Sequence, residues 1–313
     1  MNGLLPTSST INSALQAMQQ RSTMKALITG AQGMLAADLI PCLQARGYEI
    51  IAHSHSKLDI TDESAVRDAI ADTNPTIIFN CAAYTKVDQA ENEQASAEAV
   101  NGLGVKNLCL ACRDHHISLV HFSTDYVFDS TQETPHTIHD IPNPINAYGH
   151  SKRLGEEYIL DILSNFYLVR TSWLFGLGGR NFVETILDLG RKRGTVSVVT
   201  NETGCPTWTK HLAQAVAELV EQRCYGIYHV TNSEPTTWYN FAAEIFRLSS
   251  MNVAMTAITS ADLGRPAKRP SNSILDPHPL PQVLGRQMPS WKEALREYLT
   301  LRMASLTSME SMQ

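Results

Sequence analysis

From Met24 onward, short apolar runs alternate with segments whose apolar residues recur every three or four positions. KALITG (25–30), YEIIAHS (48–54), TIIFNCAA (76–83), ISLVHFST (117–124) and FYLVRTS (166–172) predict buried strands. MLAADLIPCLQARG (34–47) predicts a helix that Pro41 should kink. Thr61 is placed to cap another helix, with Asp62 and Glu63 in its first turn. Strand and helix in strict alternation predict an α/β fold, a Rossmann-like, doubly wound parallel sheet covered on both faces. Ligands of such sheets lie beyond the carboxyl ends of the strands, so the informative residues are expected there.

After residue 172 the rhythm loosens. A glycine-rich loop, GLGGRN (176–181), precedes a helix, then come strand TVSVVT (195–200) and loop NETGCPTWT (201–209). A helix through Val220, strand GIYHVTN (226–232), a helix from Trp238, an irregular Pro-rich stretch at 265–276 and a last helix over 291–303 complete the chain. The expected organisation is a dinucleotide-binding domain over 24–172 with return elements near 208–250. A smaller C-terminal substrate-binding lobe is expected from 173–207 and 251–305. Residues 1–23 hold many Ser, Thr and Gln, a lone Arg21 and no acid; they read as a disordered extension, or the natural start is Met24.

Composition narrows the function classes. The 313 residues carry a net charge of -6 without a basic block, which argues against nucleic acid as a partner. No apolar run approaches the length of a membrane span. Six cysteines scattered over so long a chain are not a disulfide framework and fit a reducing cytoplasm. Cys109 and Cys112 form a C-x-x-C with His115 and His116 behind it. The segment reads as the end of an amphipathic helix, whereas a reactive pair needs a helix N-terminus, so buried structure is expected and no metal site.

Four stretches carry candidate chemistry. Gly30-Ala31-Gln32-Gly33-Met34-Leu35-Ala36 follows the first strand and opens a helix, where glycines admit a pyrophosphate and free amides meet it. The second strand ends in Ser54, His55 and Lys57 and lacks the acid that usually meets the ribose of NAD, which favours a 2′-phosphate; Asp59 suits the adenine amino group. Ser123 and Thr124 end the fourth strand, so their hydroxyls are expected to project into the cleft. Tyr148 and Lys152, four apart in a helical segment, share one face. An ammonium beside a phenol should lower the phenol's pKa and ready it for proton transfer.

The glycine loop, NCAAYTKVDQAE (80–91), FSTDYVFD (122–129), YGHSK (148–152), VRTSWLFG (169–176), GCPTWT (204–209), GIYHVTN and RPSNSILD (269–276) occur in this order. Together they resemble the extended short-chain dehydrogenases, and within them the dTDP-4-dehydrorhamnose reductases, from Met24 to about residue 300. The resemblance implies NADPH-dependent reduction of the 4-keto group of dTDP-4-dehydro-L-rhamnose to dTDP-L-rhamnose for cell-surface polysaccharide. NADH is the alternative reductant, and a magnesium requirement is left open. It implies that Tyr148 donates the proton, Lys152 holds the nicotinamide ribose and Thr124 polarises the carbonyl. Gly33, Met34 and Leu35 would line the pyrophosphate, Asp59 and Ile60 the adenine, and Ala82, Ala83 and Tyr84 the middle of the cofactor. Asp125, Tyr126 and Trp173 would face the sugar nucleotide. A homodimer is common in such folds.

Glu202 stands where the family often carries glutamine, and Thr203 where an aromatic or similar residue is frequent, so sugar or nucleotide preference turns on that loop. The rivals are a reductase of another 4-keto nucleotide sugar and a non-catalytic NADP-binding regulatory subunit. Trp173 within RTSWLFG argues for a reductase, because its indole serves a sugar pocket.

Overall fold

The chain is described by a computed structural model covering residues 24–129 and 131–310, so the expected extension at 1–23 lies outside the described residues. Strand β1 (Lys25–Thr29) is the centre of the architecture, with Ala26, Leu27 and Ile28 fully buried. Ala26 and Ile28 join one apolar cluster and Leu27 another, as the two-residue period of a strand requires when both faces are covered.

Helix α1 (Met34–Gln44) leads to β2 (Glu49–His53), and α2 (Glu63–Thr73) to β3 (Ile77–Asn80). Short helical turns then run into α3 (Gly104–His115), β4 (Ser118–Thr124), α4 (Ala147–Ile162) and β5 (Phe166–Thr171). Helix α5 (Phe182–Arg193), β6 (Thr195–Val199), α6 (Thr209–Glu221) and β7 (Gly226–His229) follow, then α7 (Trp238–Leu248), β8 (Ala254–Ile258) and α8 (Trp291–Glu310).

The central sheet has six strands in the order β7-β5-β4-β3-β1-β2, every neighbouring pair parallel. The order reverses between β1 and β3, which opens a crevice at their carboxyl ends. Leu35, Leu39 and Leu43 of α1 pack with Leu212, Val216 and Leu219 of α6 on one face. Val66 and Ile70 of α2 pack with Val105, Leu108 and Cys112 of α3 on the other. A separate core joins Phe175, Trp208, Phe241, Ile245, Trp291 and Tyr298, drawing α5, α7 and α8 together. Glu184 of α5 clasps this assembly, accepting from Arg302 at 2.6 and 2.8 Å and from Tyr298 at 2.5 Å.

Several expectations are corrected. The cap of α2 is Asp62 rather than Thr61: its carboxylate accepts from the Ser64 and Ala65 amides at 2.9 and 3.1 Å. The Thr61 hydroxyl instead donates to Asp59 at 2.8 Å, and a carboxylate at the positive end of a helix is the stronger cap. Helix α1 ends at Gln44, three residues early, and contains Pro41 within one continuous element. Helix α8 runs past 303 to Glu310. Strand β8, which pairs with β6 in parallel, was not anticipated from the chain: its residues are largely exposed, and its apolar positions do not alternate with polar ones. Cys109 and Cys112 are buried, and burial pushes both thiols up, Cys112 to about 12, as structural cysteines behave. Among the described residues, no helix is long and apolar enough to cross a membrane.

Candidate active site

The turn after β1 is built around Gly30, whose φ is +62° and whose absent Cβ would stand 2.6 Å from the Ala82 amide. Only glycine combines that backbone with so close an approach. The turn closes with the Gly33 amide donating to Gly30 O at 2.9 Å, and Gly33 caps α1 without a side chain. The amides at the start of an eleven-residue helix, which no side chain among the described residues caps by a hydrogen bond, fit the pyrophosphate of a dinucleotide. Met34 leans on the loop at 176–181, where Asn181 Nδ2 points at its sulfur from 3.7 Å. Leu35 is buried in the core beneath.

Along the crevice, Ser54 is partly buried and shares a hydrogen bond with Ser56 at 2.9 Å. Asp59 Oδ1 is taken up by the Thr61 amide and hydroxyl, and its other oxygen lies 3.9 Å from His55. The Ile60 side chain is buried in the core and its carbonyl accepts from Asn107 at 3.0 Å. Ala82 backs the glycine turn, and Ala83 beside it is exposed. The Tyr84 backbone is clasped by Asn101, while its hydroxyl donates to Glu93 at 2.8 Å.

At the end of β4, consecutive residues turn to opposite sides. The expectation that both hydroxyls enter the cleft is corrected for Ser123, which donates to Glu156 Oε1 at 2.6 Å in the interior. Thr124 does face the site: its hydroxyl donates to Asp125 Oδ1 at 3.0 Å, accepts from the Tyr126 amide at 3.2 Å and acts on the Tyr148 phenol. Burial pushes the Asp125 carboxyl up to about 7, while the hydroxyls of Ser273 and Thr124 pull it down; its Oδ2 has no partner among the described residues.

Helix α4 reaches this strand end through Gly149, where a Cβ would stand 2.2 Å from Tyr126 O. That contact seats Tyr148 beside Tyr126, ring centroids 6.0 Å apart and edge to face. The role of Gly149 was missed from the sequence, although YGHSK displays it. Loss of water around the half-buried Tyr148 pushes its phenol up to about 12, with the Asp125 charge adding to the rise and Thr124 opposing it. This corrects the expectation that Lys152 lowers it. Lys152 Nζ turns to the β4 backbone instead, donating to Phe122 O at 2.6 Å and lying 3.1 Å from His121 Nε2.

The far wall is aromatic. Trp173, at φ 48°, stacks on Trp238, whose indole N–H donates to Glu202 at 3.0 Å. The segment at 265–273 crosses nearby, with Arg269 gripping Asp88 at 3.0 Å through both terminal nitrogens and Asn146 donating to Lys268 O at 2.8 Å. Arg269 and the Pro-rich strap had no signal beyond their motif.

The family profile described as RmlD substrate binding domain matches residues 24–303. The chain belongs to this family. It is 42% identical over 278 residues to a dTDP-4-dehydrorhamnose reductase of Streptomyces griseus, covering 87% of this chain and 91% of that one. It is 41% identical over 271 residues to a dTDP-4-keto-6-deoxy-D-glucose reductase of Streptomyces niveus, covering 86% and 90%. A solved structure of a dTDP-4-dehydrorhamnose reductase from Bacillus anthracis in complex with NADP matches with a TM-score of 0.86 and 37% identity, covering 89% of this chain and 99% of that one. The glycine turn after β1 and the β4 end that Tyr148 approaches both lie at the carboxyl edge of the parallel sheet, on strands separated only by β3.

Proposed function

We propose that the protein reduces the 4-keto group of dTDP-4-dehydro-L-rhamnose with NADPH, giving dTDP-L-rhamnose for polysaccharide synthesis in the cytoplasm. The observation that carries this reading is the seating of Tyr148 against Tyr126, ring centroids 6.0 Å apart, where helix α4 meets the end of β4 just past Thr124. The family relatives bearing the reductase name and the NADP complex support it.

The cradle at Gly30, Gly33 and Met34 would hold the pyrophosphate, with Ser54, His55 and Lys57 near a 2′-phosphate. NADPH supplies the hydride when bound. A phenol raised to about 12 is protonated at neutral pH, which suits a donor to an alkoxide developing at C4. Thr124 orients the carbonyl oxygen toward that phenol. Asp125 and Tyr126 would meet sugar hydroxyls, and the Trp173 indole would offer a flat wall to the apolar methyl group. Residues 24–172 with 208–250 would hold the dinucleotide, and 173–207 with 251–305 the sugar nucleotide.

A second reading, reduction of another 4-keto nucleotide sugar, is favoured by Glu202 at the substrate wall and by the Streptomyces niveus relative. The test is NADPH oxidation by the purified protein with each keto sugar, with products identified by mass and NMR. Turnover of the dehydrorhamnose nucleotide at least ten-fold faster than its alternatives is expected. NADPH binding without turnover of any keto sugar would reject reductase activity.

A further inference from the structure

The side-chain amide of Asn146 joins two parts of the molecule that lie 122 residues apart in the chain. Its Oδ1 accepts from the Gly149 N–H at 2.7 Å, capping the first turn of α4, and its Nδ2 donates to Lys268 O at 2.8 Å. A backbone N–H only donates and a backbone carbonyl only accepts, so the two contacts together fix which way the amide faces. Asn146 is 3% exposed. The N–H that it caps belongs to Gly149, whose missing Cβ lets α4 approach Tyr126 and seat Tyr148 beside it.

The strap that contains Lys268 is held on both sides of that residue. Toward 273 it pairs with the residue after Glu202: the Thr203 N–H donates to Ser271 O at 2.8 Å, and the Ser273 N–H donates to Thr203 O at 2.9 Å. The Ser273 hydroxyl also acts on the Asp125 carboxyl. Toward 265, Arg269 donates to both oxygens of Asp88 at 3.0 Å, and the Ala267 N–H reaches the same carboxylate at 3.3 Å. The charges of Arg265 and Arg269 are felt by the Tyr126 phenol, as is that of Glu202. The strap therefore runs from the Glu202 wall past Asp125 and Tyr126 to Asp88 and the start of α4.

We infer that Asn146 is a positioning residue that latches the 265–273 strap to the first turn of α4, and so sets the affinity of the sugar-nucleotide side. That role rests on the proposed reading of the strap side as the sugar-nucleotide site. A residue that only capped α4 would need an acceptor and nothing more, and Ser or Asp would serve as well. What asparagine adds is the Nδ2 donor, and the strap takes it. One amide group thereby holds the helix that carries Tyr148 and the strap beside Tyr126 in a fixed relation. Loss of the donor releases the strap and leaves the cap in place.

Asn146→Ser separates the two functions, because its hydroxyl still caps the helix but is too short to hold Lys268 O. Asn146→Asp, which keeps size and cap and loses the donor, is the second variant. Ser leads because Asp adds a charge close to Glu91, whose Oε1 accepts from the Ala147 N–H at 2.9 Å. Two measurements are made with NADP bound. Hydrogen exchange at the Ala267 amide reports whether the strap is seated, with no sugar present, and calorimetry gives the affinity for dTDP-L-rhamnose. Exchange about ten-fold faster and dTDP-L-rhamnose binding about ten-fold weaker are expected, the scale of one buried hydrogen bond. NADP affinity should stay within about two-fold of wild type. Unchanged exchange, unchanged dTDP-L-rhamnose affinity or an equal loss for both ligands would overturn the inference. Wild-type protein that binds NADP but no dTDP-L-rhamnose would instead reject the functional reading, and exchange at Ala267 would still decide whether Asn146 holds the strap.

Discussion

The indoles of Trp173 and Trp238 lie face to face, ring centroids 3.5 Å apart and planes within 7°. One follows β5 and the other begins α7, so the stack joins the end of the central sheet to the second apolar core. Trp173 sits at φ 48°, an unfavourable backbone for a bulky residue, and the stack helps hold it there. Trp238 in turn is fixed by its hydrogen bond to Glu202.

Removing Trp238 should therefore loosen Trp173 without touching the cofactor cradle. In Trp238→Ala we expect KM for the sugar nucleotide to rise about ten-fold, the scale of one aromatic stack. NADPH affinity, read by fluorescence titration, should stay within about two-fold of wild type. Equal losses for both ligands would show that the wall does not serve the sugar side.

Tyr148→Phe keeps the ring against Tyr126 and deletes only the proton donor. Turnover should fall by about 100-fold or more with NADPH affinity retained. Thr124→Val should cost about 100-fold in kcat, and Thr124→Ser should restore most of it, because the hydroxyl that acts on the phenol is kept. Steady-state NADPH oxidation with single-turnover traces separates these losses from slow product release. A Tyr148→Phe enzyme within a few-fold of wild type would remove the tyrosine from its role.

Asp125 gives a pH dependence with a definite sign. Burial lifts its carboxyl from 3.8 to about 7, so the folded state binds this proton more tightly than the unfolded one. Its contribution is most favourable below the ordinary value and declines as pH rises to about 7. Asp125→Asn should be more stable than wild type at pH 8, with a smaller gap at pH 5, while turnover falls. Urea midpoints at the two pH values check this.

Glu156 works in the opposite sense. Burial alone would raise it, yet Arg170, Ser123 and Arg153 hold it below the ordinary carboxylate range. Its stabilising effect is present above the ordinary value and is lost as pH falls through the lowered one. Glu156→Gln leaves Arg170 buried without its counter-charge and should cost about 3 kcal/mol of stability near pH 7. The difference should narrow in acid, as read by denaturant unfolding.

The sequence by itself determined the alternation of strands and helices, the glycine turn after β1 and the shared face of Tyr148 and Lys152. These depend on local periodicity and backbone sterics, which neighbouring residues along the chain settle. Its motifs likewise carried the family resemblance. Tertiary structure decided where side chains point when two partners compete for them. Lys152 could turn to Tyr148 or to β4, and the His121 nitrogen and the Phe122 carbonyl, both distant in sequence, take it. Ser123 and Thr124 look alike in the chain, but the buried Glu156–Arg170 pair claims one hydroxyl and the cleft keeps the other. Tyr148 was expected to be acidified by a neighbour four residues away, and desolvation by the surrounding fold raises it instead. Burial and long-range hydrogen bonds set those outcomes, and neither is a property of any short stretch of sequence.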